Sequence, residues 1–188
     1  MKYYVILLLG VVLFLNTKLI AQNNSDESVG IRAGFHSANM DFEGNKPDTA
    51  KSVNNFYIGF GREKQVTDLL YWGTGIEYFQ NGLRYTNSSK RLLHTLSVPV
   101  NLKLKIGPVF GLVGAAANFK VSEKIVVGDN SLSPIDSDKS NWFDVPVFLG
   151  AGVKILFVSV EARYHWGLME VRNGMHNRYF QLGAVVSF

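Results

Sequence analysis

The 188 residues of the chain include no cysteine. Small exported domains often depend on disulfide bonds, because their hydrophobic cores alone stabilise them weakly. Disulfide stabilisation is therefore excluded here, and so is acylation of a cysteine behind a leader sequence. An exported chain of this kind must obtain its stability from the fold itself.

The chain also lacks a concentration of charge of either sign. It has 19 Lys and Arg against 15 Asp and Glu, a formal charge of +4, and only one pair of adjacent basic residues. Proteins that bind nucleic acid carry their basic residues in a stripe or patch. The sequence therefore gives no support for a nucleic-acid partner.

Only one long apolar run is present, at positions 3–15, and a lysine lies on each side of it. The run is shorter than the roughly 20 apolar residues of a spanning helix. A charged start, an apolar segment and a small residue at Ala21 are typical of a secretory signal peptide. The sequence predicts a leader at 1–21, cleaved near Ala21 and Gln22, and an exported domain at 22–188. An uncleaved anchor is the alternative.

Beyond the leader no helix-length amphipathic pattern is present, and apolar residues recur instead at every second position. This alternation predicts strands that are apolar on one face. The clearest example lies between Leu96 and Ile106, where six aliphatic residues alternate with polar ones. Eight strands are predicted, at about 29–40, 54–65, 69–83, 94–106, 109–121, 142–154, 156–166 and 178–188.

The predicted connections alternate between long and short along the whole chain. An up-and-down membrane barrel has short turns at its periplasmic rim and longer loops at the other, so this alternation is expected of it. Closure of eight strands also leaves no unpaired edge in lipid. We predict an all-β, eight-stranded antiparallel up-and-down transmembrane β-barrel; a soluble sandwich or lipocalin-like barrel is the alternative. The connections are predicted at about 41–53, 66–68, 84–93, 107–108, 122–141, 155 and 168–177.

The last eleven residues are typical of the final strand of an outer-membrane barrel. One face is apolar throughout, and the chain ends on an aromatic residue. We interpret this strand as an assembly signal that the barrel-insertion machinery recognises. In the closed barrel the strand should pair with both the seventh and the first strand. The residues of this C-terminal signature are Phe180, Leu182, Val186 and Phe188.

Charged and histidine side chains on the polar faces of the strands form the candidate functional set. In a channel, rings of such charges would set ion selectivity. In a closed barrel the same residues would pair and fill the interior, because charges buried away from water need partners. Together with His36 and Glu63 on the same faces, the set has five Lys and Arg against four acids, and this near balance favours a plug of paired charges. The residues are Arg32, Glu77, Lys103, Lys105, Asp144, Lys154, Glu161, Arg163 and His165.

The sequence predicts a protein without enzymatic activity. A hydrolytic site needs a serine activated by a histidine. His94 and Ser97 face opposite sides of one predicted strand, whereas Ser159 and His165 share a face but are about 20 Å apart along the strand. A dyad formed across two strands remains open.

No metal or cofactor site is predicted. The four histidines lie far apart in the sequence. The aspartates at 129, 136 and 138 lack the ordered ligand spacing of a calcium-binding EF-hand loop. A solvated loop is the better interpretation of that segment.

Two further groups have a structural interpretation. Outward-facing aromatic residues are expected in the two girdles where such rings meet the membrane interface. Two prolines point inward from strand interiors, where the missing N–H should cause a bulge or a local distortion. The aromatic residues are Trp72, Tyr78, Tyr164 and Trp166, and the prolines are Pro99 and Pro146.

Several motifs resemble the PorT-like family of outer-membrane β-barrel proteins, in order along nearly all of 29–188. The resemblance implies an eight-stranded barrel in a Gram-negative outer membrane, and it raises a role in protein secretion or surface assembly as one hypothesis. The motifs are Gly30-Ile-Arg-Ala-Gly-Phe35, Trp72-Gly-Thr-Gly-Ile-Glu-Tyr-Phe79, Leu96-Ser-Val-Pro-Val-Asn-Leu-Lys103, Gly111-Leu-Val-Gly-Ala-Ala-Ala117, Gly150-Ala-Gly-Val153, Val160-Glu-Ala-Arg-Tyr164 and the terminal strand.

The sequence thus predicts an integral outer-membrane barrel whose work is structural or lies in interactions of its extracellular loops. Outer-membrane lipid, the insertion machinery during assembly and a protein at the loops are the expected partners. A narrow channel or small-ligand-binding barrel is one alternative function. A component of a secretion or surface-assembly complex is the other.

Overall fold

The computed structural model describes residues 27–42, 51–84, 89–127, 130–132, 140–172 and 174–188. The predicted leader at 1–21 lies outside these residues, and so do large parts of the predicted long loops. Within the described ranges, no helix has the length and apolarity needed to cross a membrane.

The described chain is built from antiparallel strands that close into a ring. Eight long strands follow one another around the ring, and the last pairs with the first from Gly30 and Ser187 to Phe42 and Met175. The predicted eight-stranded fold and the double pairing of the terminal strand are confirmed. The elements are β1 (Glu27–Phe42), β2 (Lys51–Gln65), β3 (Leu70–Arg84), β4 (Ser89–Ile106), β5 (Val109–Val127), β6 (Asn130–Leu132), β7 (Phe143–Asp144), β8 (Pro146–Ile155), β9 (Val158–Arg172) and β10 (Met175–Ser187).

Two short strands supplement the ring. β6 pairs with the far end of β5, above the barrel. β7 pairs with β5 in the same register as β8, so β7 and β8 together form one side of the barrel. They correspond to the single strand predicted at 142–154.

Because outer-membrane barrels have short turns at the periplasmic rim and long loops at the extracellular rim, we use these names for the two rims and describe the extracellular rim as the upper one. Several strands extend further toward the extracellular rim than predicted. The prediction of a long loop at 168–177 is wrong, because β9 continues to Arg172 and β10 begins at Met175. Two register shifts near His176 interrupt the alternation on which the prediction depended. A further shift between His94 and Thr95 skips Val121 of β5, and it interrupts the alternation in the upper part of that strand.

One predicted turn is displaced. The connection placed at Ile155 lies at Leu156 and Phe157, and β9 begins at Val158. Leu156 has φ +57°, an uncommon conformation for a residue other than glycine. The predicted strand at 156–166 would turn Phe157 inward, on the face of Glu161 and Arg163, but Phe157 is an exposed turn residue.

Both inward prolines interrupt a ladder without shifting its register. The paired residues of β3 and β4 pass from Thr74–Val100 directly to Glu77–Ser97, skipping the position of Pro99. Pro146 follows the break between β7 and β8. A missing N–H removes a hydrogen bond locally, so the expected distortion takes the form of a gap.

The outward surface is apolar, as lipid requires. The outward residues of β4 from Leu96 to Ile106 cover about 34 Å of strand, or roughly 26 Å of height at a tilt of about 40°. An apolar band of about 25 Å is typical of outer-membrane barrels. Exposed apolar residues on the other long strands include Ile31, Phe60, Trp72, Val113, Leu149, Val160, Leu182 and Val186.

Inward-facing glycines make room for the large interior side chains. A Cβ atom at Gly150 would lie 2.9 Å from Cγ of Arg163, and one at Gly59 would lie 2.7 Å from Cγ of Glu77. An eight-stranded barrel is only wide enough for its side chains to fill. These glycines therefore permit two long charged residues to cross the interior.

Candidate functional site

An ion-pair cluster lies at the centre of the barrel. Glu77 of β3 accepts hydrogen bonds from Nη1 of Arg32 at 2.8 Å and from Nη1 and Nη2 of Arg163 at 2.8 and 3.1 Å. Glu161 lies 3.6 Å from Nη1 of Arg32 and 3.4 Å from Nε of Arg163. Two bases and two acids from three strands thus compensate one another where water is excluded.

A second group of charges connects the centre with the periplasmic rim. Lys103 is hydrogen bonded to Glu63, and Nζ of Lys105 lies 3.2 Å from the same carboxylate. Nζ of Lys103 is also 4.4 Å from the ring centre of Phe110, and that of Lys105 is 3.6 Å from the ring of Tyr71. Each lysine therefore has both an anion and an aromatic face.

Five rings form a stack across the interior above the ion pairs. In order they are Phe79, His36, Tyr179, His165 and Phe148, and successive ring centres are 4.6, 5.1, 4.2 and 4.6 Å apart. All five side chains are 2% exposed or less. Because they come from five of the eight long strands, the ring stack crosses the interior of the barrel from β3 to β8.

Hydrogen bonds from two asparagine side chains continue above the ring stack. The Asn118 amide donates to the hydroxyl of Tyr179 at 3.1 Å. The Asn177 amide donates to Oδ2 of Asp144 at 2.9 Å. Asp144 therefore lies closer to the extracellular rim than the ion-pair cluster does.

An apolar layer follows toward the extracellular side. It consists of four side chains from β3, β4, β9 and β10, and none is more than 8% exposed. Aliphatic side chains at this level exclude water from the polar groups below. The layer is formed by Leu83, Leu93, Val171 and Met175.

Glu123 organises the extracellular rim, beyond the apolar band. Its carboxylate accepts hydrogen bonds from Arg91 at 2.7 Å, from Lys120 at 2.5 Å and from the Ser140 amide at 3.1 Å. Burial raises the pKa of the Glu123 carboxyl, but the hydrogen bonds from Lys120 and Ser140 outweigh it and hold the pKa below its ordinary value. These contacts attach the chain at Ser140 to the β4 and β5 hairpin.

The structure divides the predicted charged set among several levels. Arg32, Glu77, Glu161 and Arg163 come together in the central cluster, and Lys103 and Lys105 adjoin it below. His165 and Asp144 lie in the levels above it. Lys154 is half-buried beside the turn at Pro108, where its backbone N–H donates to that residue's carbonyl at 2.7 Å.

Sequence reasoning missed the neutral members of the interior. Tyr179, Asn118, Asn177 and Gln181 are all buried. Tyr179 and Gln181 lie on the polar face of the predicted terminal strand, so alternation could have identified them. Glu123 lies in a predicted loop, because the register shift at Val121 interrupts the alternation of β5. Arg91 lies in another, because the fourth strand is predicted to begin only near His94, although its alternation continues to Arg91.

The interior leaves very little space. The best-formed cavity of the described residues measures about 20 Å³ and lies above the ring stack, lined in part by Asn81, Asn118 and Asp144. The next measures about 10 Å³ and lies near the periplasmic rim, beside Arg32 and Glu63. Such volumes hold about one water each. The ring stack and the ion-pair cluster separate the two cavities.

The residues that the structure describes form no assembled catalytic or metal centre. His94 lies on the outward face, away from the buried Ser97 on the inward face. Among the described residues, no group of three or more His, Cys, Asp and Glu side chains is placed to hold a metal ion.

Comparisons with known proteins agree with this architecture. A family model described as outer membrane protein beta-barrel domain matches residues 20–173. No curated protein matches the chain.

Two solved structures illustrate the fold. Ail, the attachment invasion locus protein of Yersinia pestis, in complex with the heparin analogue sucrose octasulfate, is similar with a TM-score of 0.53 and 15% identity, over 87% of this chain and 99% of that chain. Neisserial surface protein A is similar with a TM-score of 0.52 and 15% identity, over 89% of this chain and 100% of that chain. At these identities the similarity concerns the fold alone.

Proposed function

Because the chain belongs to the outer membrane protein beta-barrel domain family, we propose that this outer-membrane barrel is sealed, that it has no catalytic activity, and that it acts through its extracellular rim. The observation that carries the proposal is the filled interior. Ion pairs, the ring stack and the apolar layer follow one another along the barrel axis, and the two best-formed cavities of the described residues measure only about 20 and 10 Å³.

Electrical conductance distinguishes a sealed barrel from a narrow channel. The protein refolded into a planar bilayer should give no stable openings, because hydrated ions need a continuous water-filled path. Heat-modifiable gel migration of the same sample confirms that the barrel is folded. Stable openings that disappear in Lys103→Ala or Glu161→Ala would establish the channel function instead.

The rim can act outside the cell only if the long β4 and β5 hairpin faces outward. Short turns lie at the periplasmic rim of such barrels. On this basis the turn at 66–69 faces the periplasm and β6 faces the outside of the cell. The absence of cysteine permits a clean test with Asn130→Cys in β6 and Asp68→Cys in the turn, two exposed positions. A membrane-impermeant maleimide added to intact cells should label only the first variant. Labelling of only Asp68→Cys would reverse the proposed orientation.

The route to the membrane is part of the proposal. Residues 1–21 direct export and are cleaved near Ala21, and the terminal strand with Phe188 is recognised by the insertion machinery. Mass spectrometry of the membrane-extracted protein should find Gln22 at the N-terminus. An N-terminus at Met1 would support the uncleaved anchor.

We place the chain with PorT-like barrels on the motifs quoted above, which recur in order along the barrel strands. A protein that binds at the loops, including a secretion or surface-assembly component, is the partner expected on that basis. Crosslinking from Asn130→Cys in the native membrane should capture such a protein. A reaction with lipid only would remove the basis for a protein partner.

A further inference from the structure

A row of cations crosses four neighbouring strands near the extracellular rim. Lys51 of β2 is paired with Arg84 of β3, and Arg84 is paired with Lys90 of β4. Lys124 of β5 pairs with Leu92, one diagonal step from Lys90. We call Lys51, Arg84, Lys90 and Lys124 the basic row.

The basic row faces away from the barrel interior. Arg84 follows the buried Leu83, and Lys90 precedes the buried Arg91, so alternation turns both toward the outside. Lys51, Arg84 and Lys124 are exposed, and Lys90 is half-buried. Lys124 lies opposite Leu92, four residues above Leu96, and Lys90 lies six residues above it. At the strand tilt the basic row is therefore about 10–16 Å above the apolar band.

Nothing in the described part of the protein neutralises these charges. Each of the four residues is without an ion pair there, unlike the cations of the interior and of the Glu123 network. Like charges placed directly opposite each other on neighbouring strands destabilise a sheet. Repulsion between Arg84 and its two paired lysines, Lys51 and Lys90, therefore lowers the stability of the sheet, and a bound anion would relieve it.

We propose that the basic row binds the phosphate groups of lipid headgroups in the outer leaflet of the outer membrane. The row lies just above the lipid-facing surface, and long basic side chains can extend toward the headgroups while their stems cover apolar surface. Basic residues beside a membrane attract anionic lipid, and they do so less strongly at high salt. The site is separate from the rim function proposed above, because it faces sideways into the leaflet.

Binding of a phosphorylated lipid to the refolded full-length barrel tests the proposal. The probe is bisphosphorylated lipid A in zwitterionic micelles, and its dephosphorylated form is the matched lipid. Wild type should bind the phosphorylated form more tightly, with an affinity that falls as salt is raised. Arg84→Gln combined with Lys90→Gln should lower that affinity roughly 30-fold, since each cation near an anionic surface contributes about fivefold.

A charge-preserving control separates the row from general effects of substitution. Arg84→Lys combined with Lys90→Arg keeps both charges and should bind within about twofold of wild type. Added lipid phosphate should also raise the unfolding temperature of wild type and leave that of the glutamine variant unchanged. Equal binding of both lipid forms by wild type, or wild-type affinity in the glutamine variant, would overturn the proposal. Binding of soluble sulfated polysaccharide in place of lipid would overturn it as well.

Discussion

Leu156 is the one described residue other than glycine with a positive φ, and it occupies the turn between β8 and β9. Its side chain is 82% exposed, so it gains little from packing. Leu156→Asn should therefore stabilise the barrel by about 1 kcal/mol, because asparagine tolerates this conformation. Urea-induced unfolding in lipid vesicles measures the difference. Leu156→Val, which is less tolerant of positive φ, should destabilise; a stabilising valine would contradict the strain argument.

Glu77 is the residue on which the central cluster depends. Glu77→Ala should destabilise the barrel by about 3–5 kcal/mol, because it leaves Arg32 and Arg163 with a single buried anion. Glu77→Leu combined with Arg163→Met removes one charge of each sign and should cost less than Glu77→Ala. The unfolding midpoints of the three proteins provide the comparison. A double variant less stable than Glu77→Ala would show that packing, not charge balance, dominates here.

These interior contacts could be predicted from the sequence only in part. Alternation placed Arg32, Glu77 and Arg163 on polar faces, and charge balance indicated pairing. The partners could not be assigned, because Glu77 and Arg163 are 86 positions apart and meet only through the strand order and register of the closed ring. The ring stack was missed for the same reason, since the height of each ring depends on the stagger between strands.

At the scale of elements, strands were predictable where alternation is unbroken. In the periplasmic halves of β3, β4 and β8, inward and outward residues alternate strictly, and the predicted faces agree with the structure. Above the membrane, register shifts insert extra residues and change the face to which later residues point. The upper parts of β5 and β9 therefore looked like loops.

The attachment of the chain at Ser140 to the β4 and β5 hairpin should depend on pH. The pKa of Glu123 is lower in the folded protein than its ordinary value of about 4.3. Its stabilising effect is thus complete above that value and is lost as the pH falls through the folded pKa. The amide resonance of Ser140, which donates to this carboxylate, should shift over that range. Glu123→Gln should abolish the titration; a titration that persists would assign it to another group.

The terminal strand β10 closes the barrel, because it pairs with β9 on one side and with β1 on the other. Phe188 exchanges backbone hydrogen bonds of 2.8 and 3.1 Å with Val29, yet its side chain is 73% exposed. Phe188→Ala should leave the folded barrel within about 0.5–1 kcal/mol of wild-type stability, since little packing is lost. If the ring is an assembly signal, the amount of inserted protein in cells should fall severalfold. Phe157→Ala, another exposed aromatic at the same rim, is the control; equal insertion of both variants would contradict the signal.

At the scale of the whole molecule, closure explains how a chain without cysteine is held together in lipid. Every long strand has two neighbours, so the ring presents no open edge to hydrocarbon. The same closure forces the large polar side chains into a narrow interior. Stability and the impermeability proposed above therefore have a common origin in the filling of that interior.

Removal of the ring stack should convert the sealed barrel into a leaky one. Tyr179 contacts three other rings of the stack, and Phe79 contacts both Tyr179 and His36. Phe79→Ala combined with Tyr179→Ala would remove the widest part of the stack between the two small cavities, so we expect brief openings in a planar bilayer where wild type is silent. Phe56→Ala, at an outward ring that is 82% exposed, should remain silent. Silence of the double variant, with folding confirmed by heat-modifiable migration, would show that the ion-pair cluster beneath the stack is sufficient to seal the barrel.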